Sequence, residues 1–105
     1  MIVVFDKDYL RNLYETGMSD DKKHRFQTGI IRSYKRGIDY LKWAERKEDL
    51  FKINSLHFKA LTGDKNGLFS IRAGREYRIE FEIKDIFEET IITICNILEL
   101  SNHYD

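Results

Sequence analysis

The chain has 105 residues, and its 18 Lys and Arg balance 18 Asp and Glu to a formal net charge of zero. Hydrophobic residues make up 42% and aromatic residues 13%, which suits one packed core and argues against disorder. No apolar run approaches the ~20 residues of a membrane span, the first residues read as no signal peptide, and the single cysteine, Cys95, excludes an internal disulfide and a Cys-based zinc site. Residues 1–105 therefore read as one domain in a reducing, cytoplasmic setting.

Ile2–Phe5 is β-branched and aromatic and predicts a strand. Asp6 or Asp8 can cap a following helix in which Leu10, Leu13 and Tyr14 share a face, with Gly17 as its stop. Phe26, Ile30, Tyr34, Ile38, Leu41 and Ala44 recur every three or four residues, which predicts a second helix from about residue 20 to 45. Residues 46–55 read as a charged connection with a helical turn around Leu50 and Phe51. A strand over Leu56–Leu61 and a turn-rich stretch from Thr62 to Gly67 follow. Leu68–Ala73 predicts a strand, Gly74 to Glu76 a turn, and Tyr77 to Ile83 an alternating strand with one face buried. Thr90–Leu100 is almost continuously apolar and predicts a central strand. The order β-α-α-β-β-β-β, helices early and an antiparallel meander late, defines an α+β fold.

Neutrality hides polarity. Residues 21–59 hold eleven basic and five acidic groups, a net of +6, while residues 85–105 hold five acidic groups and no basic one. A basic middle can meet a polyanion despite the zero total.

Few constellations carry chemistry. His24, His57 and His103 are far apart in sequence, with no HExxH and no CxxC, so no metal site is expected. Gly63 and Gly67 sit in a hairpin setting and read as turn residues, not as a phosphate cradle. Cys95 lies in an apolar strand and reads as a buried, inert thiol. His24 reads as a surface residue. Arg72, Arg75 and Arg78 fall within seven residues. If their strands pair around Gly74, Arg72 and Arg78 share a face with Arg75 at the tip, an arrangement suited to phosphate. The alternative is solvated charges pairing with Glu80 and Glu82. His103 and Tyr104, near the end, are groups that move protons when tuned by neighbours, or else part of a frayed terminus.

The run from Leu61 through Gly63, Asp64, Gly67, Leu68, Phe69, Ser70, Ile71 and Arg72, followed by Tyr77, Arg78, Ile79, Glu80 and Phe81, resembles the HigB branch of the RelE/ParE toxin superfamily. The resemblance implies a single RelE-like domain over 1–105, with two N-terminal helices packed on a curved antiparallel sheet. It implies the toxin of a type II toxin–antitoxin system, a growth-arresting, metal- and cofactor-free endoribonuclease that cuts mRNA in the ribosomal A site. Its partners would be a HigA-like helix-turn-helix antitoxin, the ribosome and mRNA, with DNA met only through the antitoxin complex. Arg78 falls on the family's aromatic-Arg-Ile position and would stabilise phosphate charge. His103 and Tyr104 fall on the family's terminal Asp-Tyr-His, swapped in an ungapped alignment, with Asn102 in place of the acid. Lys59 replaces the family's His before Gly-Asp and Thr62 its Lys, while His57 lies two positions early. Arg72, Arg75, Lys65, Lys35, Arg36 and His57 would contact RNA or the ribosome. Two rivals share the fold: a ParE-like, non-catalytic inhibitor of DNA gyrase, and a degenerate toxin that only binds its antitoxin.

Overall fold

The structure, a computed structural model, describes residues 1–102. The chain begins with β1 (Ile2–Phe5), α1 (Asp8–Glu15) and α2 (Thr28–Trp43), and continues through β2 (Lys59–Ala60), β3 (Phe69–Ala73), β4 (Tyr77–Phe87) and β5 (Ile91–Ser101). One sheet holds all five strands in the order β1-β5-β4-β3-β2. The expected meander is present, with β2 through β5 antiparallel in series, and β1 adds parallel to β5. β4 and β5 run past their expected ends to form an eleven-residue ribbon, with a bulge near Glu80 that leaves Leu98 as the extra residue.

Both helices pack on one face of the sheet. Leu10 and Leu13 of α1 and Tyr34, Ile38 and Leu41 of α2 are buried against Ile71, Ile79, Phe81, Cys95 and Ile97. Gly37 lets α2 approach closely: a Cβ there would lie 2.6 Å from Ile79 Cδ1. Tyr34 Oη donates to the Leu10 carbonyl at 2.7 Å and ties the helices together, and burial raises its phenol's pKa. Cys95 is buried as expected, and desolvation pushes its thiol up to about 12.

Three local expectations need correction. The helix predicted from about 20 to 45 is α2 alone, preceded by a 3-10 turn at Lys22–His24. Asp21 accepts from the Lys23 N–H and bonds the His24 ring, so local capping prevails over the apolar period. Phe26 leaves the helix and meets Tyr77 edge-on at 5.6 Å. Neither Asp6 nor Asp8 caps α1, whose N-cap is Lys7 without a side-chain bond. Gly17, at φ 75°, does terminate it, its N–H bonding the Leu13 carbonyl. The strand predicted over Leu56–Leu61 shrinks to Lys59–Ala60, because a 3-10 turn takes Asn54–Leu56 and His57 turns left-handed at φ 46°.

Candidate functional site

The sheet face turned away from the helices is polar. Arg72 and Arg78 are register partners across β3 and β4, and Lys59 pairs with Ser70 across β2 and β3. Gly74 turns the chain at φ 77°, which leaves Arg75 at the hairpin tip. The predicted sharing of a face by Arg72 and Arg78 is what the strands deliver. With His57, Phe58, Glu76 and Tyr77, the three arginines and Lys59 line a cleft of about 440 Å³. Among the described lining residues, four carry a full positive charge and Glu76 a negative one.

Arg78 is not a solvated charge, which corrects one of the two readings of the cluster. It is 7% exposed, and its Nε donates to Ser70 Oγ at 2.7 Å. Its Nη2 donates to the His57 carbonyl and, at 3.4 Å, to that of Ser70. The guanidinium is therefore a fixed cation in the cleft wall, and the left-handed turn at His57 delivers the carbonyl that fixes it. Glu80, expected as a partner of the arginines, is buried and receives the Lys65 ammonium at 2.8 Å and 2.9 Å. Glu82 accepts from Asn96 Nδ2 at 3.1 Å.

His57 is exposed at the cleft, where Arg72 Nη1 lies 3.3 Å from its Nε2. A guanidinium can only donate, so in a hydrogen bond between the two Nε2 is the acceptor. The ungapped sequence count left His57 two positions out, but the short 3-10 turn and the left-handed residue bring it in. Sequence reasoning overlooked Ser70, whose cue was its place two residues before Arg72 on the same strand face.

The other expected residues disperse. Arg36 reaches a neighbouring cleft shared with Arg72 and Arg75. Lys35 lies on the α1 side of α2, near Gly17. Lys65 sits at Glu80, outside the cleft lining. His24 stacks on Tyr9 with ring centroids 3.7 Å apart. His103 and Tyr104 lie outside the described residues. Among the described residues no cluster of three His, Cys, Asp or Glu is grouped to hold a metal ion, and no helix is long and apolar enough to cross a membrane.

The arginine cleft thus sits on an α+β domain with two helices on one face of a five-stranded sheet. The fold is similar to that of a YoeB/ParE toxin from Agrobacterium tumefaciens, with a TM-score of 0.59 and 14% identity over 99% of this chain and 100% of that one. Residues 3–94 match the family described as RelE-like toxin of type II toxin–antitoxin system HigB, and the chain belongs to this HigB-like toxin family. No curated protein matches the sequence. Membership in a type II toxin family implies an antitoxin partner.

Proposed function

We propose that this toxin is an endoribonuclease that cuts mRNA on the ribosome, with residues 1–105 as one toxin domain. The observation that carries the reading is the cleft itself: an imidazole, two register-paired arginines and a lysine converge on one sheet face. That set suits attack of a ribose 2′-OH on the adjacent phosphate. The O2′–P bond forms, the P–O5′ bond breaks, and a proton passes from the 2′-oxygen to the 5′-oxygen through protein groups. Arg78, fixed by Ser70 and two carbonyls, stabilises charge on the phosphorane without reorganising. Arg72 is exposed and turns from His57 to the phosphate, which frees the imidazole lone pair to take a proton. Lys59 and Arg75 hold the strand, and His103 and Tyr104 supply the remaining proton-transfer groups. The partners of this reading are a HigA-like antitoxin, the ribosome and A-site mRNA, in the cytoplasm, with no metal or cofactor.

The test is to express the toxin without its antitoxin and map mRNA 5′ ends. Cuts in phase with codons on translated mRNA are expected. Arg72→Ala should slow cutting about 100-fold or more while antitoxin binding persists, since losing one donor to a developing oxyanion costs that much. A ParE-like gyrase inhibitor is the second reading, and the net charge of zero favours it over a ribosome binder. Intact mRNA together with gyrase-linked DNA breaks would establish that reading and overturn the first.

A further inference from the structure

A groove beside the cleft is left unused by the cleavage chemistry. Arg36, Asp39, Tyr40 and Trp43 of α2, with Ile53 from the following connection, line a space of about 430 Å³. Arg36, Tyr40 and Trp43 are spaced i, i+4, i+7 and so lie along one helix face. Between groove and cleft lies a third depression of about 310 Å³. It shares Arg36 and Tyr40 with the groove, and Arg72 and Arg75 with the cleft. The three spaces thus lie in series, each sharing side chains with the next.

The chemistry along this series is specific. Trp43 is 60% exposed, although burying an indole is worth more than burying almost any other side chain. Tyr40 is half-buried beside it. The wall toward the cleft is cationic, formed by Arg36, Arg72 and Arg75. Asp39 is the acid in the groove, and it accepts from Tyr14 Oη at 2.5 Å. An aromatic face next to guanidiniums matches an unpaired nucleotide, which brings a π-face and a phosphate together. Within the groove Arg36 and Asp39 offset each other, and the cations that favour a polyanion over an apolar helix are Arg72 and Arg75 of the adjoining depression.

We propose that this groove is a second nucleotide subsite for the substrate strand. A phosphate next to the scissile one sits at Arg36, and its unpaired base stacks on Trp43 and Tyr40. The proposal rests on the RNA-cleavage reading above and deepens it.

Trp43 is the only tryptophan, so its emission reports on the groove alone. The purified toxin is titrated with a single-stranded 2′-O-methyl oligonucleotide of about eight nucleotides, which cannot be cleaved and spans a typical single-strand site. Binding is followed both by Trp43 emission and by anisotropy of a dye on the oligonucleotide. Emission should be quenched as the strand binds. Trp43→Ala should weaken binding roughly tenfold, the worth of one stacked base. Arg36→Ala should weaken it and reduce the salt slope by about 0.7, one phosphate on a single strand. Lys59→Ala, which touches the cleft and not the groove, should weaken the same oligonucleotide.

If the strand binds and Lys59→Ala weakens it, but Trp43 is silent and Trp43→Ala is neutral, the subsite is overturned and the cleft reading stands. If Trp43 responds and Lys59→Ala is neutral, the groove binds the strand without the cleft, so the cleft reading falls and the groove's role as a subsite beside a scissile phosphate falls with it. No binding at low salt, or a Trp43 response to the antitoxin alone, overturns the subsite and leaves cleavage to the mRNA-end test.

Discussion

β4 runs through two environments. Arg78, Ile79, Glu80 and Phe81 are buried consecutively, whereas Lys84 to Phe87 are exposed on both faces. In the first half α2 covers one face, with Gly37 against Ile79, and the chain around His57 covers the other, its carbonyl on Arg78. In the second half the ladder to β5 continues to Phe87 and Ile91, where the side chains stay exposed. Backbone pairing therefore sets how long the strand is, while cover decides where its side chains carry stability. It also decides where charges are held still. The covered half is where Arg78 and Glu80 are fixed by named partners, and a cleft built there presents preorganised cations.

The same residue type sits in both halves, which gives the sharpest test. Phe81 is fully buried and Phe87 is 75% exposed. Phe81→Ala should cost about 3–5 kcal/mol, the usual range for emptying a buried aromatic site. Phe87→Ala should change stability by less than about 0.5 kcal/mol. Urea unfolding of both variants measures the difference. Comparable losses would mean that the exposed half is covered in solution, and the contrast would fail.

The polar pairs should follow the same rule with smaller effects. Lys65 and Glu80 form a bridge that is half-exposed on one side and buried on the other. Lys65→Met leaves a buried carboxylate without that cation and should cost about 1–2 kcal/mol, below the figure for a fully buried pair because Lys65 reaches solvent. In the exposed half, Thr93 Oγ1 donates to Asp85 Oδ1 at 2.7 Å. Thr93→Val should cost less than about 1 kcal/mol. A double variant, Lys65→Met with Glu80→Gln, should recover part of the first loss, because the buried charge is gone. No recovery would indicate that Lys65 acts through packing alone.

The contrast also explains what the sequence could reveal. The alternation from Tyr77 to Ile83 predicts a strand, and the strand is there. Alternation cannot show that Arg78 and Glu80 are covered too, because the cover comes from residues about twenty positions earlier in one case and from Lys65 in the other. Arg72, Arg75 and Arg78 could be grouped from spacing alone, since a three-residue turn between paired strands places them. His57 could not, because its place depends on a 3-10 turn and a left-handed residue, for which His carries only a weak preference. The apolar period overextends the second helix for a related reason: the bonds of Asp21 to Lys23 and His24 are local chemistry that the period does not register.

The smallest effect concerns the cover itself. Asp49 sits in the 3-10 stretch Lys47–Lys52, which buries Leu50 and sets Phe51 edge-on against Phe58, whose ring stacks on Phe69. Its carboxyl lies below the ordinary aspartate value because the Glu45 N–H, joined by that of Arg46 and the Lys52 ammonium, favours the charged form. A carboxylate depressed on folding makes the native state bind fewer protons than the unfolded chain. Its stabilisation is therefore complete above the unfolded value of about 3.9 and is lost as pH falls through the folded value. Wild-type protein should lose more melting temperature between pH 5 and pH 3 than Asp49→Asn, which lacks this proton linkage. Hydrogen exchange locates the effect: at neutral pH, amides of residues 47–56 should exchange faster in the variant, while the Phe87 and Ile91 end of the ribbon stays unchanged. Equal acid sensitivity in the two proteins would remove Asp49 from the groups that hold the cover over β4.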